Sequence, residues 1–323
     1  MSDHGVTDHD PARPGPGSGR RCAPPAPDRV ASPDHDEVVR AACAAADLDA
    51  TGAHVVHDYA TTVAVLPVEH AVARIAVGDQ LAAARTVLAV TRWLAERGYP
   101  LALPLAGTDA VLVSGRTVTF WRYYLQLDHP PLDSAVLGEL VRRLHQVREC
   151  PIRLPRWRAL DSLERGVADP QTSSVLSAED RTWLLQRIPR LRDELDAITW
   201  PLGTGLIHGD AWAGNLLWDP ASSTALLGDW DSVAWGPREV DLAPSWHAAR
   251  RYRSEPDWAL RFADRYGYDL AISPGFGLLM QMRDLVQISG PLRHARHSPE
   301  HARALRQRLD GSRAGDSGRW HQF

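Results

Sequence analysis

The spacing of apolar positions changes character several times along the chain. Residues 61–66 and 71–77 are short runs rich in Val, Ala, Ile and Thr, separated by Pro67, Val68, Glu69 and His70. β-Branched content and a short polar connection predict an antiparallel hairpin. Strand alternation puts Val72, Arg74 and Ala76 on one face of the second run. From residue 81 the period becomes helical. Leu81, Ala84, Leu88 and Thr91 fall near one stripe and Gly98 ends it, which predicts a helix over 81–97. Residues 111–120 return to strand, tight turn and strand around Ser114-Gly115. The segment through Trp121 and Tyr124 then reaches Asp128-His129-Pro130-Pro131, a natural boundary between lobes.

Beyond that boundary the pattern is mostly helical. Residues 134–147 are amphipathic, with Leu137, Leu140, Val141 and Leu144 on one side, and residues 178–195 form a second long helix. Short strand-like runs at 205–207, 215–218 and 224–227 interrupt, the last two joined by an Asp219-Pro220 turn. Helical spacing resumes to about residue 309. At the other end, Asp34-His35-Asp36-Glu37 resembles a capping box opening a helix through about Leu48. Strands first and helices second predict a two-lobed α+β protein. Residues 1–33, poor in apolar side chains, are expected to be a disordered tail. Residues 34–124 make a small β-rich N-terminal lobe and 125–309 a larger, mainly helical C-terminal lobe. Residues 310–323 are expected to be a flexible tail.

Composition narrows the chemistry. All 36 basic residues are arginine, because the chain has no lysine. That excludes a phosphate loop ending in Gly-Lys-Ser/Thr and any lysine Schiff base. A formal charge of -4 argues against a nucleic-acid partner. No apolar run approaches a membrane span, and the N-terminus lacks the apolar core of a secretory signal. The expectation is a soluble cytoplasmic protein, of undetermined oligomeric state. Cys22, Cys43 and Cys150 are odd in number and far apart, so neither a disulfide framework nor a thiolate zinc site is indicated.

The densest chemistry lies in residues 208–241. His208-Gly209-Asp210 is followed by Asn215, and Asp229-Trp230-Asp231 comes after the next apolar run. Phosphoryl transfer needs in-line positioning, metal on the phosphates and a group to orient the incoming hydroxyl. Magnesium takes hard oxygen ligands and only one or two from protein. Asn215 and Asp229 suit that task, and Asp210 suits the base. The strand pair between Asn215 and Asp229 folds back and brings both to one cleft.

His-Gly-Asp, four residues, then Asn, followed by Asp-Trp-Asp and by Gly236-Pro237 with Asp241-Leu242, resembles the aminoglycoside phosphotransferase and choline kinase-like family. The resemblance spans roughly residues 34–310 and is strongest over 203–245. It implies a protein-kinase-like fold. It implies transfer of the γ-phosphoryl group of ATP or GTP to a hydroxyl of an antibiotic, nucleoside, sugar or related metabolite, with Mg2+. By the same resemblance, Asp210 is the catalytic base, Asn215 and Asp229 hold the metal, and His208 and Asp241 brace the loops. Leu144-His145 is a supporting piece. Residues 119–124 look like the adenine-facing hinge, so Val72, Trp121 and Tyr123 join Arg74 as nucleotide-binding candidates. Asp231 is either a second metal contact or a solvated carboxylate.

The sequence departs from this family in one region. Arg74 stands where the family carries a phosphate-contacting lysine; a guanidinium can clamp phosphate oxygens in a bidentate way. Thr86 stands where the next helix should offer a glutamate, which leaves Asp79, Asp229 or the nucleotide as partner for Arg74. The loop over residues 57–62 lacks the usual Ser/Asn character. A pseudokinase that binds nucleotide or metabolite without transfer is therefore the alternative. Trp212, Trp230, Trp235 and Trp246 either pack the loops or line an acceptor pocket. His294, His297 and His301 are separated by the Ser298-Pro299 break and are not expected to share a metal face. Residues 250–323 hold 13 arginines against eight acidic residues, which favours a neutral or anionic acceptor over a polycation.

Overall fold

The computed structural model describes residues 33–323 except 59–60, 127–128, 253–256, 317 and 321–323. The tail expected over 1–33, the cap at Asp34 and the loop residues Tyr59 and Ala60 fall wholly or largely outside the described residues. The chain opens with α1 (Pro33–Ala45), and continues through β1 (His54–Asp58), β2 (Thr62–Leu66), β3 (Ala71–Val77), α2 (Leu81–Glu96), β4 (Val111–Val113) and β5 (Arg116–Arg122). The five strands form one antiparallel sheet in the order β1-β2-β3-β5-β4.

Alternation along β3 divides the work of the sheet. Ala71, Ala73 and Ile75 point to one side, where they pack with Val118 and Phe120 of β5 and with Val38, Val39, Ala42 and Cys43 of α1. Helix α1 packs over this face nearest β4. Val72 and Arg74 point to the opposite side, paired across the ladder with Trp121 and Thr119. This second face lines the cleft. Helix α2 belongs to the other core, since Val87, Leu88, Val90 and Leu94 pack with Leu137, Leu140, Val141 and Leu144. Residues 100–105 zip the two lobes together. Ala102 N–H donates to Leu227 and Leu227 N–H to Pro100, at 3.0 and 3.1 Å, while Arg122 and Leu105 exchange similar bonds with Leu103 and Phe120.

The C-terminal lobe contains α3 (Ser134–His145), α4 (Asp161–Ala168), α5 (Pro170–Ser173), α6 (Ala178–Asp196), β6 (Thr204–Ile207), β7 (Leu216–Asp219), β8 (Thr224–Leu227), β9 (Ala234–Pro237), α7 (Ala243–Arg251), α8 (Trp258–Tyr266), α9 (Phe276–Val286), α10 (Ser289–His294) and α11 (Pro299–Ala314). Asp133 caps α3 by accepting from the Ala135 and Val136 amides. Helix α8 crosses α3 at Gly138, where a Cβ would lie 2.7 Å from the Phe262 carbonyl oxygen. The strands form two small antiparallel pairs, β6 with β9 and β7 with β8. No helix among the described residues is long and apolar enough to cross a membrane.

Several details differ from the sequence-based expectation. Helix α11 continues past residue 310 to Ala314, and Trp320 is 7% exposed with its amide donating to the Arg251 carbonyl at 2.8 Å. The C-terminal segment is held because its indole covers the Arg251 guanidinium, 4.4 Å from the ring centre. The proline break before α11 folds it back against α10, so the His294 and His301 rings come within 5.2 Å of each other. Among the described residues, no three His, Cys, Asp or Glu side chains converge as a ready-made metal cage.

Candidate active site

Strand β6 ends at Ile207 and delivers His208, Gly209 and Asp210 into the cleft. Its partner β9 leads into a 3-10 turn, Arg238–Asp241, which brings Asp241 back beneath the same loop. The Asp241 carboxylate is fully buried. It accepts from the His208 and Gly209 amides at 2.7 Å each and from His145 Nε2 at 3.0 Å. Three donors satisfy a charge that burial would otherwise make costly. His145 Nδ1 lies 2.8 Å from the Tyr266 hydroxyl. Burial first, and Asp241 second, hold the Tyr266 phenol well above its ordinary range, so it serves as the donor there.

His208 is also fully buried, and its Nε2 donates to the Gly228 carbonyl at 2.8 Å. That bond fixes the tautomer and leaves Nδ1 to accept from the Asp210 amide at 3.3 Å. The ring packs 4.7 Å from Trp230, whose indole N–H donates to the Leu227 carbonyl. Gly209 has φ +84, and a Cβ there would lie 2.2 Å from the Ser232 carbonyl oxygen. The loop therefore requires glycine on two counts, conformation and space.

Asn215 leads into the β7–β8 ladder and Asp229 follows it out, at the same end. Leu216 faces Leu227, and the ladder continues one step as the Gly228 amide donates to the Asn215 carbonyl at 2.8 Å. Asp229 follows directly, turned by a left-handed backbone (φ 57) into a 3-10 turn at Trp230–Ser232. Asp tolerates that region better than most residues. The Asn215 side-chain amide donates to the Asp210 carbonyl at 3.0 Å, so its Oδ1 is turned away from that bond. Two hydrogen bonds thus join Asp210 to Asn215 and Asn215 to Gly228, the residue that precedes Asp229.

Arg74 reaches this region from the N-terminal lobe. Its Nη2 donates to Asp229 Oδ1 at 2.6 Å and to Asp231 Oδ2 at 2.7 Å. Burial disfavours the Arg74 charge, but the attraction of Asp231 and Asp229 outweighs it and holds the guanidinium above its usual range. The Asp231 carboxyl is shifted upward although half its surface meets solvent: the closed surroundings raise it, Arg74 opposes, and Asp229 adds to the rise. Thr86 takes no part, since its hydroxyl is spent on the Ala82 carbonyl of its own helix. Asp79 instead accepts from the Leu81 amide at the start of α2.

The hinge candidates separate. Val72 lies on the cleft face, half-buried beside Trp121. Trp121 is 5% exposed and its indole N–H is satisfied by Thr119 at 2.9 Å. It is a core side chain, in the cluster that holds the buried face of α2, the helix packed against β5. Tyr123 is 38% exposed at the cleft edge, with its amide donating to the His70 carbonyl. Trp212 is 49% exposed, its ring folded over Gly214, where a Cβ would lie 2.1 Å away. Trp230 and Trp246 are packed in the core.

One residue of the site has no sequence motif. Arg283, on α9, donates from Nη1 to Asp210 Oδ1 at 2.9 Å. The one signal for it is that Arg283 and Asp284 are the charged pair in an otherwise uncharged helix, and buried charges need partners.

The chemistry of the donor set fits a hard divalent cation: an amide oxygen, the Asp229 carboxylate and the nearby Asp231 carboxylate. The Arg74 guanidinium stands as a positive charge beside both carboxylates.

The profile of the phosphotransferase enzyme family matches residues 58–276. No curated protein sequence matches the chain significantly. Solved structures share the fold at low identity. An amicoumacin kinase in complex with AMP-PNP, Ca2+ and Ami is 13% identical, with a TM-score of 0.61 over 83% of this chain and 89% of that one. A microcompartment-associated aminopropanol kinase is 19% identical, with a TM-score of 0.60 over 87% and 98%. An aminoglycoside phosphotransferase of Streptomyces rimosus is 18% identical, with a TM-score of 0.53 over 77% and 98%. These likenesses carry the protein-kinase-like fold, and the family match carries the class: the chain belongs to the phosphotransferase enzyme family.

Proposed function

We propose that this protein transfers the γ-phosphoryl group of ATP or GTP to a hydroxyl of a small molecule, with Mg2+ as the metal. The observation that supports this most is the hydrogen-bonded succession Asp210, Asn215 and Gly228, with Asp229 next in the chain and paired to Arg74. Asn215 Oδ1 and Asp229 are the atoms assigned to the cation, with Asp231 as a second contact. When bound, the metal neutralises charge on the phosphates.

The chain's own groups then have defined tasks. Asp210 accepts the proton of the acceptor alcohol, whose oxygen forms a bond to the γ-phosphorus as the bond to the β–γ bridging oxygen breaks. The nucleoside diphosphate leaves with that electron pair. Arg74 is placed to exchange its carboxylate partners for nucleotide phosphate oxygens. Val72 and Tyr123 remain as nucleotide contacts from the sheet and the hinge. His208 and Asp241 hold the loop so that Asp210 faces the cleft. The acceptor is assigned as a hydroxylated antibiotic, nucleoside, sugar or related metabolite.

The test is nucleotide turnover against a panel of such acceptors. Asp210→Asn is expected to lower turnover about 10²–10⁴-fold while leaving nucleotide affinity in place. Undiminished turnover would reject Asp210 as the base. The second reading is a pseudokinase, favoured by the engagement of Arg74 with both carboxylates. Magnesium-dependent nucleotide binding by calorimetry with no product from any acceptor, and no hydrolysis, would support it instead.

A further inference from the structure

The carboxylate assigned as base does not stand alone. Arg283 holds Asp210 Oδ1 at 2.9 Å, with the arginine side chain 9% exposed and the aspartate 37%. The guanidinium lies behind, out of solvent, and the carboxylate faces the cleft. The neighbouring carboxylate cannot neutralise Arg283. Asp284 is committed to Arg251, whose Nε donates to it at 2.8 Å, and to His247 at 2.9 Å. Arg283 Nε is buried and has no hydrogen-bond partner among the described residues. The ion pair with Asp210 is therefore the principal compensation for its charge. The base of α9 is firm, because Arg251 also donates to the Gly318 and Asp316 carbonyls under the Trp320 ring.

Building on the phosphotransferase reading, we infer that Arg283 is a positioning residue for Asp210 and sets the charge class of the acceptor. By binding Oδ1 it fixes the carboxylate plane and leaves Oδ2 for the acceptor hydroxyl. A group held within a fraction of an ångström from a rigid helix is worth more than one on a free rotor. Its charge also cancels the negative charge that would draw an ammonium group to this end of the site. An amine beside the reacting hydroxyl would meet a fixed guanidinium without an unpaired carboxylate. The acceptor is thus an alcohol that is neutral or anionic next to its reacting hydroxyl.

The first experiment needs no identified acceptor. Hydrolysis of Mg·ATP, with water as acceptor, is measured for the wild type, Arg283→Gln and Arg283→Lys, with thermal unfolding in parallel. The expected result is a kcat lower by on the order of tenfold to a hundredfold in Arg283→Gln, an unchanged KM for ATP, and partial recovery in Arg283→Lys. An unchanged kcat in Arg283→Gln overturns the inference. So does an equal loss in both variants that follows their melting temperatures. The second experiment compares 1-amino-2-propanol, propane-1,2-diol and lactate, which share a secondary hydroxyl and differ in charge. Wild type is expected to favour the diol or lactate, and Arg283→Gln to lose that order; wild-type preference for the amino alcohol overturns the charge assignment. A wild type with neither nucleotide affinity nor hydrolysis would instead sink the phosphotransferase reading, and it is seen before any variant is compared.

Discussion

Single positions in the 208–241 region act through atoms that cannot be replaced. Gly209→Ala would force a side chain into left-handed backbone and against the Ser232 carbonyl oxygen, 2.2 Å from the ideal Cβ. Something must shift, and what shifts is the loop that carries Asp210. Loss of turnover by about 10²-fold or more is expected, with secondary structure by circular dichroism unchanged. Asp241→Asn tests the anchor beneath the same loop. An amide offers one oxygen where the carboxylate offers two, and its NH2 would face N–H donors from His208, Gly209 or His145. A buried donor left without an acceptor costs about 1–3 kcal/mol. Chemical denaturation should show a loss in that range. A variant as stable as wild type would mean that the three bonds to Asp241 do not brace the loop.

Elements were legible in the sequence where a local period or turn fixed them. The alternation of β3 put Val72 and Arg74 on one face, and the turn at Asp219-Pro220 folded β7 onto β8 so that the Asn215 backbone pairs with Gly228, the residue before Asp229. Strand β1 was hidden because it is an edge strand whose pairing with β2 is interrupted between Val55 and His57. Strand β9 was hidden because Ala-Trp-Gly-Pro carries two residues that strands avoid. The burial of Trp121 was hidden because alternation tells which face a ring takes but not what covers that face. Arg283 was hidden because its partner lies 73 residues away. The same is true of the link between α7 and α9, where His247 and Arg251 grip Asp284. Burial pushes the His247 imidazole down to about 4, against the pull of Asp284. Its unfolded value is near 6.5, so between pH 6.5 and 4 the unfolded chain binds a proton that the folded protein refuses. The stabilising effect is fully present above 6.5 and is lost as pH falls through 4. Its size is on the order of 3 kcal/mol. Denaturation midpoints should fall across that window in wild type and fall less in His247→Gln. Parallel curves for the two proteins would remove His247 as the cause.

Arg74 joins scales, because it reaches from the N-terminal sheet to two carboxylates of the C-terminal lobe. It is a tie between lobes as well as a charge partner. The tie itself is modest. Asp229 and Asp231 keep 43% and 51% of their side-chain surface in water, so its contribution to stability is about 1 kcal/mol or less. The larger consequence concerns cations. While Arg74 holds both carboxylates, a divalent ion must displace a guanidinium from Asp229 before it can bind there. Nucleotide phosphates offer that guanidinium another partner, so metal and nucleotide should bind cooperatively and not independently. Arg74→Met removes the competitor and leaves two carboxylates with no cation between them. Calorimetry with Mg2+ alone is expected to show tighter binding in Arg74→Met than in wild type. With ATP present the order reverses, because the phosphates have lost their clamp. Saturating Mg·ATP should also raise the melting temperature of wild type, by the equivalent of about 2.7 kcal/mol at a hundredfold excess over Kd, and should raise that of Arg74→Met less. Equal Mg2+ affinities in the two proteins without nucleotide would show that the guanidinium does not compete for the crevice, and the cooperative account would then fail.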